Sequence, residues 1–112
     1  MVTAEMRVFA TGPCREEVLE TLRWLMGQLE AEPGLDEMDL YQSVEREDKL
    51  VLVQTWRSRE DMLLFMRSEK FIQLLEILDL SEEPPELHFD SVSERQGLEF
   101  VEAVRHEQLL KR

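Results

Sequence analysis

The run Leu50-Val51-Leu52-Val53 admits few architectures, because four consecutive apolar residues, two of them β-branched, lead through Gln54-Thr55 to Trp56. Side chains along a strand point alternately to opposite faces, so a strand over 50–56 must be covered on both sides. It feeds directly into a helix. Ser58 stands where an N-cap belongs, and Asp61 follows at capping-box spacing in place of the usual Glu. Met62, Leu63, Leu64, Phe65 and Met66 then occupy nearly every azimuth, Arg67-Ser68-Glu69 interrupts them, and Phe71, Leu74, Leu75 and Leu78 resume at i, i+3, i+4, i+7. The spacing predicts a broken helix over 59–80.

The remaining elements follow from periodicity and turn chemistry. Val2, Ala4, Met6, Val8 and Ala10 alternate with Thr3, Glu5, Arg7 and Phe9, which predicts a strand over 2–10. Gly12-Pro13 opens a helix over 13–31, with Val18, Leu22, Leu25 and Leu29 inward and Trp24 well off that stripe, facing outward. Glu32-Pro33-Gly34 ends it. A second strand over 35–44 sets Met38, Leu40 and Val44 against Asp39, Tyr41 and Ser43, and the charged turn 45–49 makes it a hairpin with the strand at 50–56. Pro84-Pro85 stiffens the connection to a fourth strand over 86–93, and Leu98, Val101 and Val104 mark a helix over 97–108.

The order β-α-β-β-α-β is that of a ferredoxin-like α+β domain, a four-stranded antiparallel sheet with helices on one face. Two helices cover one face only, while the strand at 50–56 is apolar on both. A second copy of the same sheet is the simplest cover, so the expected assembly is a homodimer paired through the sheet. Glu5 and Arg7 lie on the face to be paired and require cross-strand partners or trapped water if the interface reaches them.

At 112 residues the chain fits one domain over 1–112 with a core of its own. It carries 13 Lys and Arg against 25 Asp and Glu, a net charge of −12, and so repels phosphate backbones and anionic lipid; nucleic acid is not an expected partner. The lone Cys14 offers neither a disulfide nor a zinc site, which suits a reducing cytoplasm. No apolar run reaches the length of a signal core or a membrane span, so no membrane partner is expected either. The four glycines are not spaced as a phosphate cradle, and no nucleotide cofactor is expected.

An apolar strand ending in Trp56, a Ser-bearing turn, an acid, a short apolar helix and then Ser68-Glu69-Lys70-Phe71 together resemble the antibiotic biosynthesis monooxygenase (ABM) family of the dimeric α/β-barrel superfamily. The Pro33-Gly34-Leu35 junction falls where that family enters its second strand. The resemblance implies a dimer whose sheets share a barrel, with an apolar pocket between sheet and helices in each subunit. It further implies oxygenation of aromatic or quinol-like compounds without metal or flavin, or, in some relatives, haem degradation. Two positions depart from the family: Phe65 stands where many members carry a His, and Met6 stands where haem-degrading relatives carry an Asn. The chain has no Asn, and its histidines, His88 and His106, lie outside the second helix. Haem needs an axial ligand and polar groups around it, so no haem is expected.

Oxygenation without a cofactor needs an ionised, electron-rich substrate in a dry cavity. Trp56 is a candidate to stack on such a ring or donate its indole N–H, or else a core anchor closing the gap between sheet and helix. Met6, Phe65 and Met66 are candidate pocket lining or core filler. Gln54 shares a strand face with Leu50, Leu52 and Trp56, so its amide needs a partner inside, structural or ligand. Tyr41 falls on the polar face of its strand. His88 and Asp90 share a face without a third metal ligand, so no metal is expected. Cys14, at a helix N-terminus, is placed for a lowered thiol pKa or for simple packing.

Overall fold

The computed structural model describes residues 1–110, with side chains through Gln108. Its elements are β1 (Val2–Phe9), α1 (Gly12–Leu29), β2 (Leu35–Gln42), β3 (Lys49–Trp56), α2 (Arg59–Met66), α3 (Glu69–Leu78), β4 (Glu86–Ser91) and α4 (Leu98–Leu110). The strands form one antiparallel sheet in the order β2-β3-β1-β4, the ferredoxin-like arrangement. Central β3 carries the doubly apolar run, flanked by β2 and β1.

Register assigns the two faces. Val2, Ala4, Met6 and Val8 lie opposite Trp56, Gln54, Leu52 and Leu50, and this face meets the helices. Val18, Leu22, Leu25 and Leu29 of α1, Met62 and Phe65 of α2, and Leu74 and Ile77 of α3 close the core over it. Burying these side chains contributes roughly 1.5–3 kcal/mol each.

The other face is open. It holds Val51 and Val53, both half-buried, beside Tyr41, Asp39, Glu5 and Arg7. Arg7 finds the partners its position demands, 3.0 Å from Glu86 across β4 and 3.2 Å from Glu5, though its Nε stays without a hydrogen bond. At one end the β2–β3 turn folds over, placing the Arg46 guanidinium 5.0 Å above the Phe9 ring.

Local chemistry sets the helix boundaries. Ser58 caps α2 by accepting the Asp61 N–H at 3.2 Å. The reciprocal half of a capping box is absent: the shorter Asp61 side chain accepts from the Ser58 hydroxyl at 2.9 Å and from Arg57 at 3.0 Å instead. The break before α3 comes from Ser68, whose extended backbone (ψ 162°) starts a new helix while its hydroxyl donates to the Phe65 carbonyl at 2.6 Å. Strand β2 stops at Gln42, two residues short of the expected end, because the turn begins at Ser43. Val44, expected on the inner face, is therefore fully exposed. Trp24 faces outward, as its angle on the helix requires.

Helix α4 stands apart. No described element packs along it, and the radius of gyration, 17.6 Å, exceeds the ~13 Å of a compact chain of this length. No helix among the described residues is long and apolar enough to cross a membrane.

Candidate functional site

A cleft lies between the helix-facing side of the sheet and α2–α3. Ala4 and Met6 of β1, Leu52 and Gln54 of β3, and Leu87 and Phe89 of β4 form one wall. Met62, Phe65 and Met66 of α2 and Phe71, Leu74, Leu75 and Leu78 of α3 form the other. Its mouth opens where Phe89 and Leu75 are each about 40% exposed, 41% and 39% respectively. The cleft holds about 390 Å³ of empty space counting that mouth, but only about 20 Å³ is open to the centre of a water molecule. That is room for one water and not for a six-membered ring. A ring enters only if side chains move, and Met6, Met62 and Met66 are the unbranched, readily repacked ones.

Gln54 is the one polar side chain among the lining residues, and it is 6% exposed. The Trp56 indole N–H donates to Gln54 Oε1 at 3.3 Å. An indole can only donate, so this contact fixes which end of the amide is oxygen. The other end, Nε2, meets only the Met38 sulfur at 3.7 Å, a weak acceptor. A buried amide thus keeps most of its donor capacity unused beside an apolar cleft.

Met6, Gln54, Phe65 and Met66 come together in this lining. Trp56 does not join them. It is 0% exposed and sits behind Phe65, whose ring stacks on it at 5.0 Å and meets Phe71 edge-on at 5.6 Å. In this arrangement the indole supports Phe65 and orients Gln54, and a ring in the cleft would meet Phe65 first. Sequence reasoning missed the contribution of α3 and β4. The Phe71-Leu74-Leu75-Leu78 stripe was visible, but which wall it forms depends on the break at Ser68.

The other candidates lie elsewhere. Tyr41 is exposed at the open face of the sheet. His88 is opposite Glu5 on that face, 3.5 Å from Glu86, whose carboxyl is held below its ordinary pKa by hydrogen bonding to His88 and by Arg7. No group of three His, Cys, Asp or Glu able to hold a metal occurs among the described residues. Cys14 corrects the expectation of a lowered pKa. Its thiol donates to the Leu80 carbonyl at 3.4 Å, and loss of water, with Glu82 and Glu17 nearby, pushes its pKa up from 9.0. Two carboxylates and desolvation outweigh the helix terminus.

A four-stranded antiparallel sheet with helices on one face and a narrow apolar cleft between them defines a ferredoxin-like domain. The chain belongs to the antibiotic biosynthesis monooxygenase family, whose sequence model matches residues 1–76. Among solved structures it is similar to Rv0793 from Mycobacterium tuberculosis, at 21% identity and TM-score 0.75, over 86% of this chain and 98% of that one. It is also similar to a variant of SnoaB, a cofactor-independent oxygenase from Streptomyces nogalater, at 15% identity and TM-score 0.71, over 84% and 94%. A protein from Methanosarcina mazei matches at 16% identity and TM-score 0.72, over 80% and 89%. Likeness at these identities establishes the fold alone. No curated protein matches the sequence.

Proposed function

We propose that this chain is a small cofactor-independent monooxygenase that admits an aromatic or quinol-like compound into the cleft beside Gln54. The observation that carries this reading is the Gln54 amide, whose Nε2 has only a thioether for a partner in otherwise apolar surroundings. A carbonyl or phenolate oxygen of a flat ligand would complete that hydrogen bond, while Met6, Phe65 and Met66 would hold the ring. Family membership and the likeness to SnoaB support oxygenation as the chemistry.

No lining side chain is an acid or base, so the substrate has to ionise readily by itself. An activated ring CH₂ meets this need. It loses one proton to water at the mouth of the cleft, and the carbanion reduces O₂ directly; one oxygen atom becomes the new carbonyl, the other leaves as hydroxide and regains that proton as water, and all electrons come from the substrate. The same lack of a base favours a second reading, a dimeric module that binds an apolar molecule without transforming it.

The working unit in either reading is a homodimer paired through the open sheet face at Val51 and Val53, acting in a reducing cytoplasm where Cys14 stays a thiol. Oxygen uptake with a panel of anthrones and quinols tests the enzyme reading. Consumption matched to product, and reduced at least tenfold by Gln54→Ala, is the expected result. Ring binding without oxygen uptake across the panel would leave the binding module in its place.

A further inference from the structure

Helix α4 is an element without a visible reason to be there. Leu98, Phe100, Val101 and Val104 are 71%, 51%, 49% and 48% exposed, and at ~100° per residue they share one half of the helix circumference. Glu99, Glu102, His106 and Glu107 fall on the other half, while Arg105 and Gln108 share the apolar one. A 13-residue helix alone in water is marginal, yet this one is formed while packing along no described part of its own chain. It also lies beyond residues 1–76, where the family match ends. An apolar stripe of this kind needs a surface the chain does not offer where α4 stands.

We propose that α4 is an arm that docks its Leu98, Phe100, Val101 and Val104 face onto a second copy of this chain, which returns its own α4 by two-fold symmetry. This inference rests on the sheet-to-sheet pairing proposed above, and it supplies what that pairing lacks. The open sheet face is three strands of eight residues and one of six, a footprint of roughly 500 Å². Its apolar content is mainly Val51 and Val53 among Glu5, Arg7, Asp39 and Glu86. A stable interface needs ~800 Å² per partner. Each copy gives one arm and receives one, and at ~20 by ~10 Å per helix the exchange contributes about 400 Å² more per partner. Sheet and arms together reach the required size, whereas the sheet alone falls short. Two chains of net charge −12 also repel one another, so association depends on apolar area and tightens as salt screens the charge.

The test is sedimentation equilibrium on the full chain and two variants. Val101→Glu with Val104→Glu changes only exposed positions of α4, so circular dichroism should show the fold intact. Val53→Glu disrupts the sheet face. The arm variant should raise the dimer Kd at least about tenfold, and p-benzoylphenylalanine in place of Phe100 should give covalent dimers on irradiation. An unchanged Kd in the arm variant, or cross-links confined to single chains, would overturn the arm whatever Val53→Glu does. Dissociation by the arm variant with Val53→Glu still dimeric would uphold the arm and remove the sheet pairing. A wild-type chain monomeric at all concentrations would remove both.

Discussion

Asp61 is packed so closely on Gly34 that a Cβ added to the glycine would overlap the Asp61 Cβ and Cγ. Gly34 has φ +83°, in the left-handed region, and its carbonyl accepts the Arg57 N–H at 2.7 Å. The exit from α1, the end of β3 and the first turn of α2 therefore meet at one point, which fixes α2 over the cleft. A Cβ at Gly34 incurs both the left-handed backbone penalty and a steric overlap. Gly34→Ala should destabilise the fold by about 2–4 kcal/mol. Gly12 supplies the control: its φ is +53°, but nothing lies within 4 Å of an added Cβ. Gly12→Ala should cost only about 1–2 kcal/mol, and urea unfolding of both variants separates strain from overlap.

The same Asp61 gives stability a defined pH dependence. Its carboxyl is held below the ordinary 3.8 by the Ser58 hydroxyl and then by Arg57. A group whose folded pKa is depressed contributes fully above its unfolded value and loses that contribution as pH falls through the folded one. Wild-type thermal midpoints should therefore drop below pH 3.8 more steeply than those of Asp61→Asn, which has nothing there to titrate. Parallel curves for the two proteins would show that Asp61 carries no such linkage.

The doubly apolar β3, the Ser58 cap, the break near Ser68 and the ferredoxin-like order were legible because each rests on spacing within a few residues. The cleft was legible only in part. Strand parity put Gln54 and Trp56 on one face, but parity does not say that Phe65 would intervene between Trp56 and the cleft; that depends on the angle at which α2 crosses β3. Val44 was assigned inward by alternation continued past the point where Ser43 turns the chain. For Cys14 the helix terminus was visible, whereas Glu82 arrives from 68 residues away and reverses the sign. Helix α4 was readable as an element, but a sequence pattern names no surface for its apolar face.

Cys14 should behave as an unreactive thiol. With its pKa raised, the thiolate fraction at neutral pH is smaller than for a free cysteine, and alkylation is correspondingly slow. The pH–rate profile for iodoacetamide should have its inflection above 9.0. Glu82→Gln removes the main nearby charge and should shift that inflection downward. The same carboxylate accepts from the Thr11 hydroxyl at 2.9 Å at the start of α1, so Thr11 is the control for a structural effect. Thr11→Val should leave the profile in place.

Gln54 can be tested apart from any turnover. Gln54→Leu keeps the apolar volume but leaves the Trp56 N–H with no acceptor in dry surroundings, at a cost of about 1–3 kcal/mol. Gln54→Glu keeps an acceptor for the indole and introduces a carboxyl that burial would push upward in pKa. The folded state then favours the protonated form, so this variant should be most stable at low pH. It should weaken as pH rises through the unfolded value of roughly 4.3 and level off above its folded pKa. That slope is opposite in sign to the one expected from Asp61, and denaturant midpoints of wild type and Gln54→Glu between pH 4 and 8 would display it. A Gln54→Glu protein with the wild-type pH profile would mean that water already reaches the amide, and the dry cleft on which ring binding depends would have to be given up.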